Sequence, residues 1–176
     1  CLYALQALAN QAEPEIATEA MEKALEIWPD EPDWHAIAGA LYEQQERYDL
    51  AAQHLEEALR IQPKQAHYWQ MLGDIKVLEK DYHAARDYFS KAIELFPDNA
   101  EALSALAVIN QQLGEYQAAI ACLKQAEQLD PENKLYAQQI AECYLALKDY
   151  NAALEQAERA LQADPRSVSA LLTKIK

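Results

Sequence analysis

The residues able to bind a metal, carry a proton or attack a substrate are few. The chain has four histidines, His35, His54, His67 and His83, and three cysteines, Cys1, Cys122 and Cys143. A helical zinc site needs two histidines four residues apart with a glutamate between, so that one face presents them together. No His-Glu-x-x-His occurs. A serine nucleophile needs the sharp Gly-x-Ser-x-Gly turn, and a phosphate cradle needs closely spaced glycines. The only glycines are Gly39, Gly73 and Gly114, too scattered for either. Three cysteines without Cys-x-x-Cys spacing make neither a disulfide framework nor a zinc site, and they read as small apolar side chains. Adjacent acids such as Glu56 and Glu57 can act as general acid and base only in a desolvated cleft; on a helix surface they are solvated charges. The expectation is therefore no enzyme, no cofactor and no metal.

Composition points to what carries these side chains. In 176 residues there are 3 Gly and 7 Pro, too few for the many turns of a sandwich or barrel. Ala, Leu, Glu, Gln and Lys dominate, and they are strong helix formers. No run approaches the 18 apolar residues of a membrane span. With 29 acids against 15 bases the net charge is −14, which repels a phosphate backbone and disfavours nucleic acid. Glu13, Glu15, Glu19, Glu22 and Glu26 crowd near the N-terminus. Acids at a helix start complement its dipole; the sharper alternative is a site for a basic partner. No signal peptide is visible, and Leu2-Tyr3-Ala4-Leu5 reads as helix rather than the polar tether of a lipidated Cys1. A cytoplasmic chain, cut from within a longer protein, is expected.

The prolines reveal the organisation. Pro29, Pro63, Pro97, Pro131 and Pro165 are each 34 residues apart. Ala24, Ala58, Ala92, Ala126 and Ala160 keep the same interval, as do Ala17, Ala51, Ala85, Ala119 and Ala153. So do Tyr48, Tyr82, Tyr116 and Tyr150, with Pro14 in that slot of the first unit. Each unit reads as two helices. In the third, Tyr68, Trp69, Leu72, Gly73 and Ile75 form one apolar stripe. Lys80-Asp81-Tyr82 turns the chain. Ala85, Tyr88, Phe89, Ala92, Ile93 and Leu95 form a second stripe, ended by Pro97. The small residues let backbones approach, and Trp69, Tyr82 and Phe89 fill the space beside them.

The pattern Trp69-x2-Leu72-Gly73…Tyr82-x2-Ala85-x3-Phe89-x2-Ala92-x4-Pro97 resembles the tetratricopeptide repeat (TPR). The resemblance covers nearly the whole chain as one array, residues 1–176. The units are 1–31 (lacking three positions), 32–65, 66–99, 100–133 and 134–167; residues 168–176 form a terminal helix or begin a sixth. Linkers such as Leu95-Phe96-Pro97-Asp98-Asn99 resemble bacterial members. Departures are local. The Trp slot holds Cys1, His35, Trp69, Leu103 and Ala137, and Trp34 stands one residue away, able to rotate into it. The small slot of the first helix holds Leu5, Gly39, Gly73, Ala107 and Ala141. Lys76 and Asn110 stand where Tyr42 and Tyr144 stand elsewhere, and the aromatic slot of the second helix ends as Ala157. Ala137 and Ala157 make the fifth unit the expected weak point.

The resemblance implies an all-α, right-handed superhelical solenoid whose first helices line a concave groove that holds a peptide or helical segment of a protein partner. The groove positions carried over include Tyr3, Gln6 and Asn10; Asp33, Ala36, Ile37, Ala40, Glu43 and Gln44; His67, Gln70, Met71 and Asp74; Glu101, Ser104, Val108, Gln111 and Gln112; Gln138, Gln139 and Glu142. Among the groove positions no Lys or Arg occurs, and five carboxylates do, Asp33, Glu43, Asp74, Glu101 and Glu142. The family's carboxylate clamp for acidic chaperone tails needs Lys and Arg, so such a tail is not the expected ligand. A neutral-to-basic peptide with apolar anchors fits better. His35 reads as a core substitution, His54 and His83 as solvated side chains on outward helices, and His67 as a groove residue near Asp74.

Two other readings compete. Leu2, Tyr3, Leu5 and Leu8 at one end, and Val168, Leu171, Leu172 and Ile175 at the other, have no neighbouring unit to cover them. Exposed apolar ends favour self-association into a homo-oligomer, or a longer parent chain. The family is also appended to enzymes such as glycosyltransferases as a regulatory arm.

Overall fold

The computed structural model describes residues 14–163, and among these residues there are nine helices and no strand. The expectations for Tyr3, Gln6 and Asn10, for Cys1, and for Leu2, Leu5, Leu8, Val168, Leu171, Leu172 and Ile175 concern residues outside that range.

The helices are α1 (Pro14–Ile27), α2 (Pro32–Gln44), α3 (Tyr48–Ile61), α4 (Ala66–Leu78) and α5 (Tyr82–Leu95), then α6 (Ala100–Gln112), α7 (Tyr116–Leu129), α8 (Leu135–Ala146) and α9 (Tyr150–Ala163). The 34-residue clock is therefore a clock of helix starts. Every second helix from α3 to α9 opens on the repeat's tyrosine, and Pro14 opens α1 in the same register. Proline is tolerated there because the first helical N–H has no intrahelical partner to lose. Helices α2 and α3, α4 and α5, α6 and α7, and α8 and α9 form closely packed hairpins. Two compact units are present, divided between Leu95 and Phe96; α1 to α5 belong to the first and α6 to α9 to the second.

Each hairpin turns through one left-handed residue, Glu46 (φ 58°), Lys80 (φ 61°), Gly114 (φ 77°) and Lys148 (φ 61°). The hydrogen bonds repeat too. The N–H of Arg47 donates to the Tyr42 carbonyl (2.9 Å), and that of Glu46 to the Glu43 carbonyl (2.8 Å). Asp81 to Lys76 and Lys80 to Val77, Glu115 to Asn110 and Gly114 to Gln111, and Asp149 to Tyr144 and Lys148 to Leu145 repeat the pair. This is the Schellman closure, which satisfies the last carbonyls of the first helix. The following helix is capped by a side chain only where the sequence supplies one. The Asp81 carboxylate accepts from the Ala84 N–H (3.1 Å) and Asp149 from Ala152 (3.2 Å), whereas Arg47 and Glu115 provide no cap.

The core lies along the inner faces of the pairs. Ala51, Ala85, Ala119 and Ala153, and seven residues on Ala58, Ala92, Ala126 and Ala160, are all buried, as the close-approach reading requires. Tyr68, Leu72, Ile75 and Phe89 are buried on the first unit's side, and Leu123, Ile140 and Cys143 on the second's. The short slots of the fifth repeat are also closed, with Ala137, Ala141 and Ala157 buried.

Trp34 does not enter the Trp slot. It packs edge-on to Trp28, with ring centres 5.1 Å apart, against the cluster of Ala17, Met21, Leu25, Ala38 and Leu41. The slot stays with His35, and the reason is a hydrogen bond. Trp69 in the same slot donates its indole N–H to the Pro63 carbonyl at 3.0 Å, and the Nε2 of His35 stands 2.9 Å from the Pro29 carbonyl.

Candidate functional site

Within the first unit, α2 and α4 together line an open cavity of about 280 Å³, formed by Asp33, Ala36, Ile37, Ala40, His67, Tyr68 and Met71. Six of these, Asp33, Ala36, Ile37, Ala40, His67 and Met71, are groove positions expected from sequence. Period explains the convergence. Residues 33, 36, 37 and 40 share one face of α2, and residues 67, 68 and 71 share one face of α4. Ala36 and the Tyr68 ring are buried, Ile37 and Met71 are half-buried, and Asp33 and His67 are exposed. The site has an apolar floor with an acidic and an imidazole rim.

Tyr68 is the residue that sequence reasoning left out. Its apolar ring counted as core, and its hydroxyl is what reaches the site. The hydroxyl donates a hydrogen bond to the Asp33 carboxylate, across from α4 to α2. Burial first, and that bond second, push the phenol far above its ordinary range, so it stays a donor. Asp33 is thereby tied to α4 at the rim of the cavity.

Further along the same helices, Glu43 is half-buried and Gln44 exposed. Burial raises the Glu43 carboxyl above its usual value. Gln70 and Asp74 are half-buried and engaged with neighbours.

In the second unit the expected residues divide. Glu101, Gln112, Glu142 and Val108 are exposed, and Ser104 is half-buried. The Gln111 amide donates to the Cys143 sulfur at 2.9 Å, and the Gln138 amide to Glu142 at 3.3 Å. Two of the glutamines expected in the groove, Gln111 and Gln138, are thus bonded within the protein. Gln139 is half-buried with its carbonyl oxygen turned inward. The cysteines behave as apolar packing. Burial raises the thiols of Cys122 and Cys143, which removes them as nucleophiles at neutral pH.

The other histidines differ from expectation in one case. His83 is exposed as read. His54 is not a solvated residue; its side chain is only 17% exposed. Glu22 of α1 reaches it at 3.1 Å, and the ring of Tyr42 stacks on it, with centres 5.4 Å apart. The tyrosine slot filled by Tyr42 closes over His54. Among the described residues no group of three or more His, Cys, Asp or Glu could hold a metal ion, and no helix is long and apolar enough to cross a membrane.

The tetratricopeptide repeat model matches residues 8–75, 76–138 and 110–175. The chain belongs to the tetratricopeptide repeat family. Solved TPR structures superpose closely. MamA gives a TM-score of 0.85 at 20% identity, covering 92% of this chain and 95% of that one. YrrB, described as a TPR protein with an unusual peptide-binding site, gives 0.85 at 24% identity over 98% and 89%. PilF of Pseudomonas aeruginosa gives 0.79 at 20% identity over 98% and 78%. At these identities the likeness shows the fold. No curated protein sequence matches the chain. The TPR fold is that of a protein–protein interaction scaffold.

Proposed function

We propose that this TPR chain holds a neutral-to-basic peptide segment of a protein partner against the faces of its first helices, with an apolar side chain seated between α2 and α4. The observation that carries the reading is the cavity whose apolar floor, Ala36, Ile37 and Met71, meets an acid-bearing rim at Asp33. A peptide anchor of that kind needs an apolar body and a neighbouring cation or backbone donor for the Asp33 oxygen. The absence of Lys and Arg from the groove positions argues against an acidic segment, which would meet five carboxylates and no lysine or arginine there.

The test is selection of a displayed peptide library on the immobilised chain, followed by calorimetric affinities. Selected peptides should pair an apolar residue with Lys or Arg nearby. Met71→Glu should weaken them at least about tenfold, and Asp33→Lys should select against basic ones. Selected peptides that are acidic, or that bind Met71→Glu as well as the parent, would overturn the reading.

A further inference from the structure

A second polar cluster lies away from this cavity, where α1, the turn after it, α2 and α3 meet. His35 Nε2 is 2.9 Å from the Pro29 carbonyl oxygen. A carbonyl only accepts, so this nitrogen carries hydrogen. The equivalent bond from Trp69 to Pro63 agrees, because an indole nitrogen is a donor only. His54 Nε2 is 3.1 Å from Glu22 Oε1, the same oxygen that accepts the Tyr42 hydroxyl at 2.7 Å. That nitrogen carries hydrogen too. Two neutral imidazoles so protonated have bare lone pairs on Nδ1. Yet the two Nδ1 atoms stand 3.1 Å apart.

Two lone pairs facing each other need a cation between them. The ring centres are 5.4 Å apart. That is the separation reached when both Nδ1 atoms lie on the line joining the centres, so the lone pairs meet head-on. A proton sits on such a line. A metal ion sits to one side, about 2.0–2.1 Å from each nitrogen, and needs the lone pairs to converge on it.

We propose that His35 and His54 share one proton through an Nδ1–H···Nδ1 hydrogen bond, forming a pH-sensitive clasp that ties α1 and its turn to the α2–α3 hairpin. Proton counting supports it. With no shared proton, the lone pairs repel or the bond to Pro29 or Glu22 is lost. With two, N–H faces N–H. With one, all the contacts are satisfied, and the Glu22 carboxylate balances the charge.

The groups around the pair favour the same count. Glu22 faces it from α1, and Tyr42 from α2, with the Arg47 guanidinium 4.8 Å over the tyrosine ring. From α3, Glu56 and Glu57 line the adjoining cavity with Gln53, and Arg60 is paired to Glu57 at 2.6 Å and lies 3.8 Å from Asp30 of the turn. Burial lowers the tendency of His54 to charge, against the pull of Glu22, and the proximity of His35 adds to the lowering. A second proton is therefore resisted.

The test is nitrogen-detected NMR of the histidine rings in the full chain, followed across the histidine range. A scalar coupling between the two Nδ1 atoms, with two titration steps separated by more than about one pH unit, is expected. In Glu22→Gln the step at higher pH should shift downward while the coupling persists. Both rings titrating together without coupling would overturn the proposal. So would equimolar zinc chloride that abolishes the Nδ1 proton signal, since the pair would then be a metal site. The wild-type spectrum decides even if a variant fails to fold.

Discussion

The ring of Phe89 fills the space that a side chain on Gly73 would need. A Cβ placed at residue 73 would lie 2.6 Å from two ring carbons, and Phe89 is fully buried, so the ring has nowhere to turn. The same pairing, sixteen residues apart, occurs in the second repeat. Gly39 faces Leu55, with a Cβ at 2.9 Å from the leucine Cγ, whereas the fifth repeat pairs Ala141 with the small Ala157. Gly73→Ala should therefore destabilise. Helix propensity would favour alanine by about 1 kcal/mol, but overpacking costs about 1–3 kcal/mol. In a Phe89→Leu background the loss should shrink. Urea midpoints of the four proteins test this; a raised midpoint for Gly73→Ala alone would show that the ring yields.

Lys80 occupies the left-handed turn position at φ 61°, where the equivalent residue of the fourth repeat is Gly114. A left-handed residue with a Cβ is strained by about 1–2 kcal/mol, partly offset by the extra chain entropy that glycine loses on folding. Lys80→Gly should stabilise by about 0.5–1 kcal/mol. Gly114→Lys should lose a similar amount. Thermal unfolding of both variants checks the sign.

Ala85 and Trp69 test the register from opposite sides. Ala85 is fully buried at a helix crossing, so Ala85→Leu should cost about 1–3 kcal/mol. Trp69 is only half-buried but bonded to the Pro63 carbonyl. Trp69→Ala should therefore cost about 2–3 kcal/mol, below the full core value. Chemical denaturation gives both; unchanged midpoints would contradict the packing.

His54 gives a pH dependence with a definite sign. Its folded value is lowered below 6.5, chiefly by burial. Between that lowered value and 6.5 the unfolded chain binds a proton that the folded chain resists. Stability therefore rises with pH through this window and falls as the pH drops below 6.5. His54→Gln should flatten the slope of the urea midpoint against pH in that window. A slope equal to the parent's would place the titration elsewhere.

Much of this fold was legible in residue spacing. The tyrosine register marks the starts of α3, α5, α7 and α9, although Tyr82 was expected in the turn rather than as the first residue of a helix, and the alanine registers predicted the buried crossings. The left-handed turn was less visible, because Glu46, Lys80 and Lys148 disguise a position that only Gly114 marks. The cavity residues Asp33, Ile37, His67 and Met71 were legible through the family's groove positions. Tyr68 was not, since a residue whose ring is core and whose hydroxyl bonds a distant carboxylate looks apolar in a pattern.

The sequence by itself determined the repeat, its helix pairs and the acidic character of the first-helix face, because periodicity and charge are properties of one chain position at a time. Tertiary structure alone decided which polar side chains meet: Tyr68 with Asp33, Gln111 with Cys143, and His54 with Glu22 and His35. These contacts join residues 19 to 35 positions apart on different helices. Their energy depends on distance and on exclusion of water, and both arise only when the helices pack.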